Sequence, residues 1–91
     1  MVIHQKRLLI QIGKRIAWYR KKRGLTQAAF ADQLHRSSSA VSRMERGTYN
    51  HTITLEILTD IANTLDISLL DLLEKKTTAL SEDTLERQTD R

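Results

Sequence analysis

The sequence predicts an all-α fold: a compact domain of five helices followed by a short polar tail. Three observations point there. The 91 residues include no proline and three glycines, Gly13, Gly24 and Gly47, so little forbids helix. Apolar residues recur every three or four positions, and strand-like alternation is absent. Cap-forming residues and glycines punctuate the chain at the spacing of short helices.

The first helix covers about residues 5–23. Leu9, Ile12, Ile16 and Tyr19 form its buried stripe, with Lys14, Arg15, Lys21 and Lys22 expected to face water. Lys21, Lys22 and Arg23 suit the negative end of that helix, and Gly24 stops it. Gly13, inside the helix, marks either close packing or a frayed start. Thr26 caps a second helix over 27–34, with Phe30, Ala31 and Leu34 inward. After a break at His35-Arg36, Ser37 or Ser38 caps a third helix that ends at Gly47. There Val41 and Met44 point inward, while Ser39, Ser42, Arg43 and Arg46 share one outer face. Two short helices joined by a tight turn make a helix-turn-helix outline.

Thr54 caps a fourth helix, with Glu56 in its first turn and Ile53 and Leu58 at the spacing of a hydrophobic staple. Its expected stripe is Leu55, Leu58, Ile61, Ala62 and Leu65. Ser68 and Asp71 have capping-box spacing for a fifth helix ending at Leu73. The domain is therefore placed at 1–74. Residues 75–91 hold Ala79, Leu80 and Leu85 as their apolar side chains, and are expected to be a flexible tail or a marginal helix over 81–88.

Composition removes several function classes. A chain of this length buries roughly 60–65% of its unfolded surface, enough for one modest core but not for a deep two-layer cleft. Without cysteine there is no disulfide scaffold, zinc finger or thiol nucleophile. No apolar run approaches the roughly 20 residues that span a bilayer, and the N-terminal stretch is too short and polar for a signal peptide. The expectation is a soluble, cytoplasmic protein.

Charge is segregated. The net is +4, yet residues 1–50 carry 11 Lys/Arg against Asp32 and Glu45. Residues 51–74 carry Glu56, Asp60, Asp66, Asp71 and Glu74 with no basic residue, and 75–91 carry four of each sign. One half is suited to a polyanion and the next is not; the alternative is ordinary solvated helix faces.

A larger pattern links these pieces. Gly24-Leu25-Thr26-Gln27, Phe30-Ala31, Leu34, Ser37, Val41-Ser42-Arg43 and Met44-Glu45-Arg46-Gly47 follow in order. Leu55-Glu56, Leu58, Ile61-Ala62, Leu65 and Ile67-Ser68-Leu69 complete it. Over about residues 10–73 the chain resembles the Cro/C1-type (XRE) helix-turn-helix family, the lambda-repressor-like DNA-binding domains. It departs from that pattern at His35 and Asp66, where glycine is usual, and both residue types tolerate positive φ. Ala29 replaces a common acidic residue, and the loop after Gly47 is longer than is usual in the family.

The resemblance implies a bacterial transcription regulator, nucleoid-associated by function, that represses or autoregulates from palindromic operator DNA as a homodimer. Its third helix would enter the major groove, with Ser38, Ser39, Ser42 and Arg43 at base edges. Arg43 is the best discriminator because a guanidinium bonds guanine O6 and N7 together. Phosphate contacts are implied for Thr26 and Gln27 at a helix N-terminus, and for Arg36, Arg46, Thr48, Tyr49 and Asn50. Arg20 and Glu45 match a structural ion pair of the family. Ile57, Leu69, Leu70, Leu72 and Leu73 exceed what one packed face requires and are candidate dimer contacts. The alternative is that most of them close the monomer core.

Other roles compete. Small members of the family also act as antitoxins or as restriction–modification controllers, and the tail is a candidate toxin-binding segment. An enzyme is disfavoured: Asp32, His35 and the serines 37–39 cluster in one cap and turn, without an oxyanion hole. His4, His35 and His51 lack metal-ligand spacing, so neither a metal nor a cofactor is expected. A membrane-active or calmodulin-like basic helix around Trp18 conflicts with the direct continuation into Gly24-Leu25-Thr26-Gln27.

Overall fold

The computed structural model describes residues 2–3, 5–49 and 53–74, with backbone alone at 2 and 3. The tail 75–91 and Asn50 lie outside the described residues. Five helices are present among those described: α1 (Lys6–Lys22), α2 (Gln27–Leu34), α3 (Ser38–Arg46), α4 (Leu55–Leu65) and α5 (Leu69–Leu73). A two-residue ladder joins β1 (Val2–Ile3) antiparallel to β2 (Ile53–Thr54), pairing Val2 with Thr54 and Ile3 with Ile53. The ladder was not foreseen, because two residues are too few for alternation to register.

Helix starts follow local chemistry. Thr26 and Ser37 each accept a bond from the backbone N–H three residues on, at 3.0 Å, and Thr54 does the same at 3.2 Å. Ser68 and Asp71 form a full capping box, their reciprocal bonds at 3.3 and 3.0 Å. Helix ends are equally regular. After α1 to α4 the chain turns through left-handed residues Gly24, His35, Gly47 and Asp66. At each, the next residue's N–H bonds a carbonyl five positions back, as Arg36 does to Ala31 at 2.9 Å and Thr48 to Arg43 at 2.9 Å. His35 and Asp66 therefore do the work of glycine.

Phe30, Val41, Leu58, Ile61, Leu65 and Leu72 are fully buried, and Ile12, Ile16, Met44 and Ile53 complete the centre of the core. Close packing explains Gly13: an added Cβ would overlap the Met44 carbonyl and lie 2.5 Å from the Glu45 carbonyl oxygen. The first helix thus crosses the end of α3 backbone to backbone. Gly47 is similarly confined, its absent Cβ position 2.8 Å from Ile10 Cα.

Three sequence expectations are corrected. Arg15 does not face water; it is 6% exposed, and its Nη1 donates to the Leu72 carbonyl at 3.0 Å. Its position beside Ile16 allows the aliphatic stem to follow the buried stripe while the head caps α5. Leu55 is 38% exposed, because at the first position of α4 it lies past the edge of the packed face. Leu72, expected as a dimer contact, has no exposed surface, since α5 folds it into the monomer core.

Candidate nucleic-acid interface

Helix α3 is held from behind and open in front. Val41 is inaccessible and Met44 only 3% exposed. Ser38, Ser39 and Arg43 are exposed on the other side, and Ser42 is half-buried. The Arg43 guanidinium makes no hydrogen bond among the described residues, so its fork of donors is available to a ligand. Arg46 is also exposed, but its Nη1 donates to the Ser42 hydroxyl at 2.6 Å, one turn back. That latch draws the Arg46 guanidinium along the outer face of α3, a contact that i, i+4 spacing permits.

The orientation of α3 is set by one carboxylate. Glu45 Oε2 accepts from Arg20 Nε at 2.6 Å, and Oε1 accepts from Arg20 Nη2 at 3.2 Å. Arg20 Nη1 also donates to the Leu25 carbonyl at 2.7 Å, which ties the α1–α2 turn into the same network. The two charged side chains are 9% and 6% exposed. This is the ion pair that the family resemblance implied. Gln27 joins it, donating Nε2 to Glu45 Oε1 at 2.9 Å. An amide nitrogen has two hydrogens. Glu45 takes one, which leaves the other with the amides at the start of α2 as donors to an anion.

Further contacts lie to either side of α3. Arg36, in the turn before it, places Nη1 3.5 Å from the Tyr49 hydroxyl in the loop after it. The exposed Thr48 hydroxyl lies 3.5 Å from the Arg43 carbonyl, and Thr26 is exposed at the α2 cap. Cations and hydroxyls from the turn, the helix and the loop are thus brought to one surface. Arg23 is used elsewhere, donating to the Leu65 carbonyl at 3.1 Å. The third helix packs on α1 and α2, whereas the acid-bearing α4 and α5 pack on α1, on each other and, for α4, on α2.

Of the remaining candidates, Leu70 is 57% exposed, and Ile57, Leu69 and Leu73 are half-buried. Among the described residues no three His, Cys, Asp or Glu side chains converge as metal ligands, and no described helix is long and apolar enough to cross a membrane. Sequence reasoning missed the Gln27–Glu45 and Arg46–Ser42 contacts. Only the second has a local signal, the serine four residues before the arginine.

Comparison with known proteins gives the same account. A family model described as helix-turn-helix matches residues 16–72. The restriction-modification controller protein C.AhdI from Aeromonas hydrophila is 31% identical, with a TM-score of 0.64 over 70% of this chain and 94% of that one. SinR, a master regulator for biofilm formation solved in complex with DNA, is 30% identical, with a TM-score of 0.63 over 69% of this chain and 98% of that one. The hypothetical transcription factor NHTF from Neisseria shares the fold at 22% identity, with a TM-score of 0.72 and coverage of 88% and 90%. No curated protein matches the chain. With the matched motif, the open face of α3 and these relatives in agreement, the chain belongs to the XRE-family (Cro/C1-type) helix-turn-helix proteins, a family of DNA-binding transcription regulators.

Proposed function

We propose that the protein binds a palindromic operator as a homodimer and represses transcription, its own operon included. The observation that carries this reading is the Arg43 guanidinium, unpartnered among the described residues, beside exposed Ser38 and Ser39, on a helix fixed by Val41, Met44 and Glu45. Placed in a major groove, Arg43 reads a guanine through its O6 and N7, and the serine hydroxyls contact bases or nearby phosphates. Thr26 and Gln27 at the start of α2 set the register on one phosphate, and Arg36, Arg46, Thr48, Tyr49 and Asn50 contact the backbone on either side. Such contacts position the helix without carrying sequence information.

A small domain neutralises few phosphates, so two copies on a two-fold-symmetric site are the economical route to tight binding. Leu70, with Ile57, Leu69 and Leu73 around it, is the apolar surface proposed for self-association. Affinity then falls with a slope of about −0.9 in log K against log salt for each phosphate neutralised. Gel-shift titration across salt concentrations, on selected and random duplexes, tests the reading; a flat salt response contradicts it.

The likeness to C.AhdI favours a second, narrower role as controller of a restriction–modification operon. A role as antitoxin, binding a toxin as well as DNA, rests on the length and polarity of residues 75–91. Co-purification with the product of an adjacent reading frame separates these roles from simple autoregulation.

A further inference from the structure

Ser42 and Arg46 form a pair on the outer face of α3, and the direction of their hydrogen bond limits what Ser42 can read. Arg46 Nη1 donates to Ser42 Oγ at 2.6 Å, the short distance expected of a charged donor. A guanidinium has no acceptor, so the serine oxygen must be the one that accepts. Ser39 and Arg43 stand at the same spacing on the same helix, yet no hydrogen bond joins their side chains. The latch is thus particular to one pair. No carboxylate among the described residues lies within ion-pair distance of Arg46, so no nearby anion offsets its charge at Ser42.

A serine hydroxyl has one hydrogen to give and two lone pairs with which to receive. Arg46 takes one lone pair and sets a positive charge beside the oxygen. A second donor approaching that oxygen meets the cation, whereas an acceptor approaching the hydrogen finds it polarised. That hydrogen is unspent among the described residues. A helical serine often turns it back onto the carbonyl four residues earlier, and Ser42 makes no such bond to Ser38. Ser42 therefore presents itself as a donor.

Given α3 in the major groove, the reading on which the assignment rests, we infer that Arg46 sets Ser42 as a hydrogen-bond donor and that the base edge Ser42 faces carries an acceptor. Guanine O6 and N7, thymine O4 and adenine N7 all fit. Cytosine, which shows only its N4 amino donor in that groove, is the base rejected. Arg46 then has two tasks: one Nη1 hydrogen holds Ser42, and its other N–H groups remain for a phosphate. Ser39, unbonded by Arg43, keeps both donor and acceptor roles and discriminates less.

The test uses the full chain and duplexes that differ at one base pair within the consensus selected by the unmodified protein. Ser42→Ala locates the position: it is the one where the penalty for cytosine shrinks, by about two- to tenfold, the worth of one hydrogen bond. Arg46→Ala is expected to shrink the same penalty at the same position, besides weakening every duplex. The double variant is expected to lose no more discrimination there than either single. Preference at the guanine assigned to Arg43 persists in all three. Far-ultraviolet circular dichroism verifies folding, since neither side chain belongs to the core. A cytosine penalty left whole by Arg46→Ala, with every duplex weakened alike, would overturn the inference and leave α3 as the groove helix. So would Ser42→Ala relaxing no position, or relaxing one where cytosine is preferred. An unmodified protein that binds every duplex equally overturns the inference and the groove reading together.

Discussion

Glu45 on α3 receives the Gln27 amide of α2 at 2.9 Å while it holds Arg20 of α1 at 2.6 Å. One buried carboxylate thus fixes the helix proposed to read bases relative to the residue proposed to grip the backbone. Gln27→Ala is expected to weaken selected and random duplexes equally, by about tenfold, the lower end for a hydrogen bond to a charged group. Comparing dissociation constants on the two DNAs checks this. A loss confined to the selected site contradicts a phosphate role.

Removing one partner of the ion pair strands the other charge in a site under one-tenth exposed. Arg20→Ala or Glu45→Ala should each lower stability by about 3–5 kcal/mol. Arg20→Ala with Glu45→Ala should lose less than the sum of the singles, because no charge is left unpaired. Urea denaturation of the four proteins measures the coupling.

Gly13 and Gly24 should respond differently to the same methyl group. Gly13→Ala drives Cβ into the Met44 and Glu45 carbonyls, so the α1–α3 crossing must open, at about 1–3 kcal/mol or more. At Gly24 nothing lies within 4 Å, and only the φ of +73° resists, so Gly24→Ala should cost about 1–2 kcal/mol. Gly24→Asn should recover part of that loss. Melting temperatures distinguish the cases, since Gly13→Asn should be worse than Gly13→Ala.

Leu70 and Leu72 are two residues apart and face different environments. Leu70→Glu, at an exposed position, should leave the monomer folded and abolish self-association in sedimentation equilibrium. Leu72→Ala empties a fully buried position and should destabilise the fold by about 2–5 kcal/mol. A Leu70→Glu protein that still dimerises removes α5 from the proposed interface.

What could be read in advance divides by the range of the interaction. Thr26, Thr54 and Ser68 are legible as caps because each satisfies an N–H three residues away. His35 and Asp66 are legible as turn residues because their tolerance of positive φ is intrinsic. The open face of α3 follows from the inward stagger of Val41 and Met44. Arg15 was misread because a cation at the edge of an apolar stripe can either extend into water or bury its stem. Only the arrival of α5 decides between them. Leu72 was misread for the same reason: four leucines in five positions do not reveal which one faces the core. The Gln27–Glu45 bond joins positions 18 apart across a tertiary contact, where no local pattern exists to be read.

The most direct test is selection of bound duplexes from a random pool, performed in parallel with the unmodified protein and Arg43→Ala. The unmodified protein should yield a two-fold-symmetric consensus with a guanine in each half. The variant should relax preference at that guanine, losing about 1–3 kcal/mol on the original site while keeping its affinity for random DNA. An identical consensus from both proteins, or uniform weakening on every sequence, would show that α3 does not read the groove through Arg43.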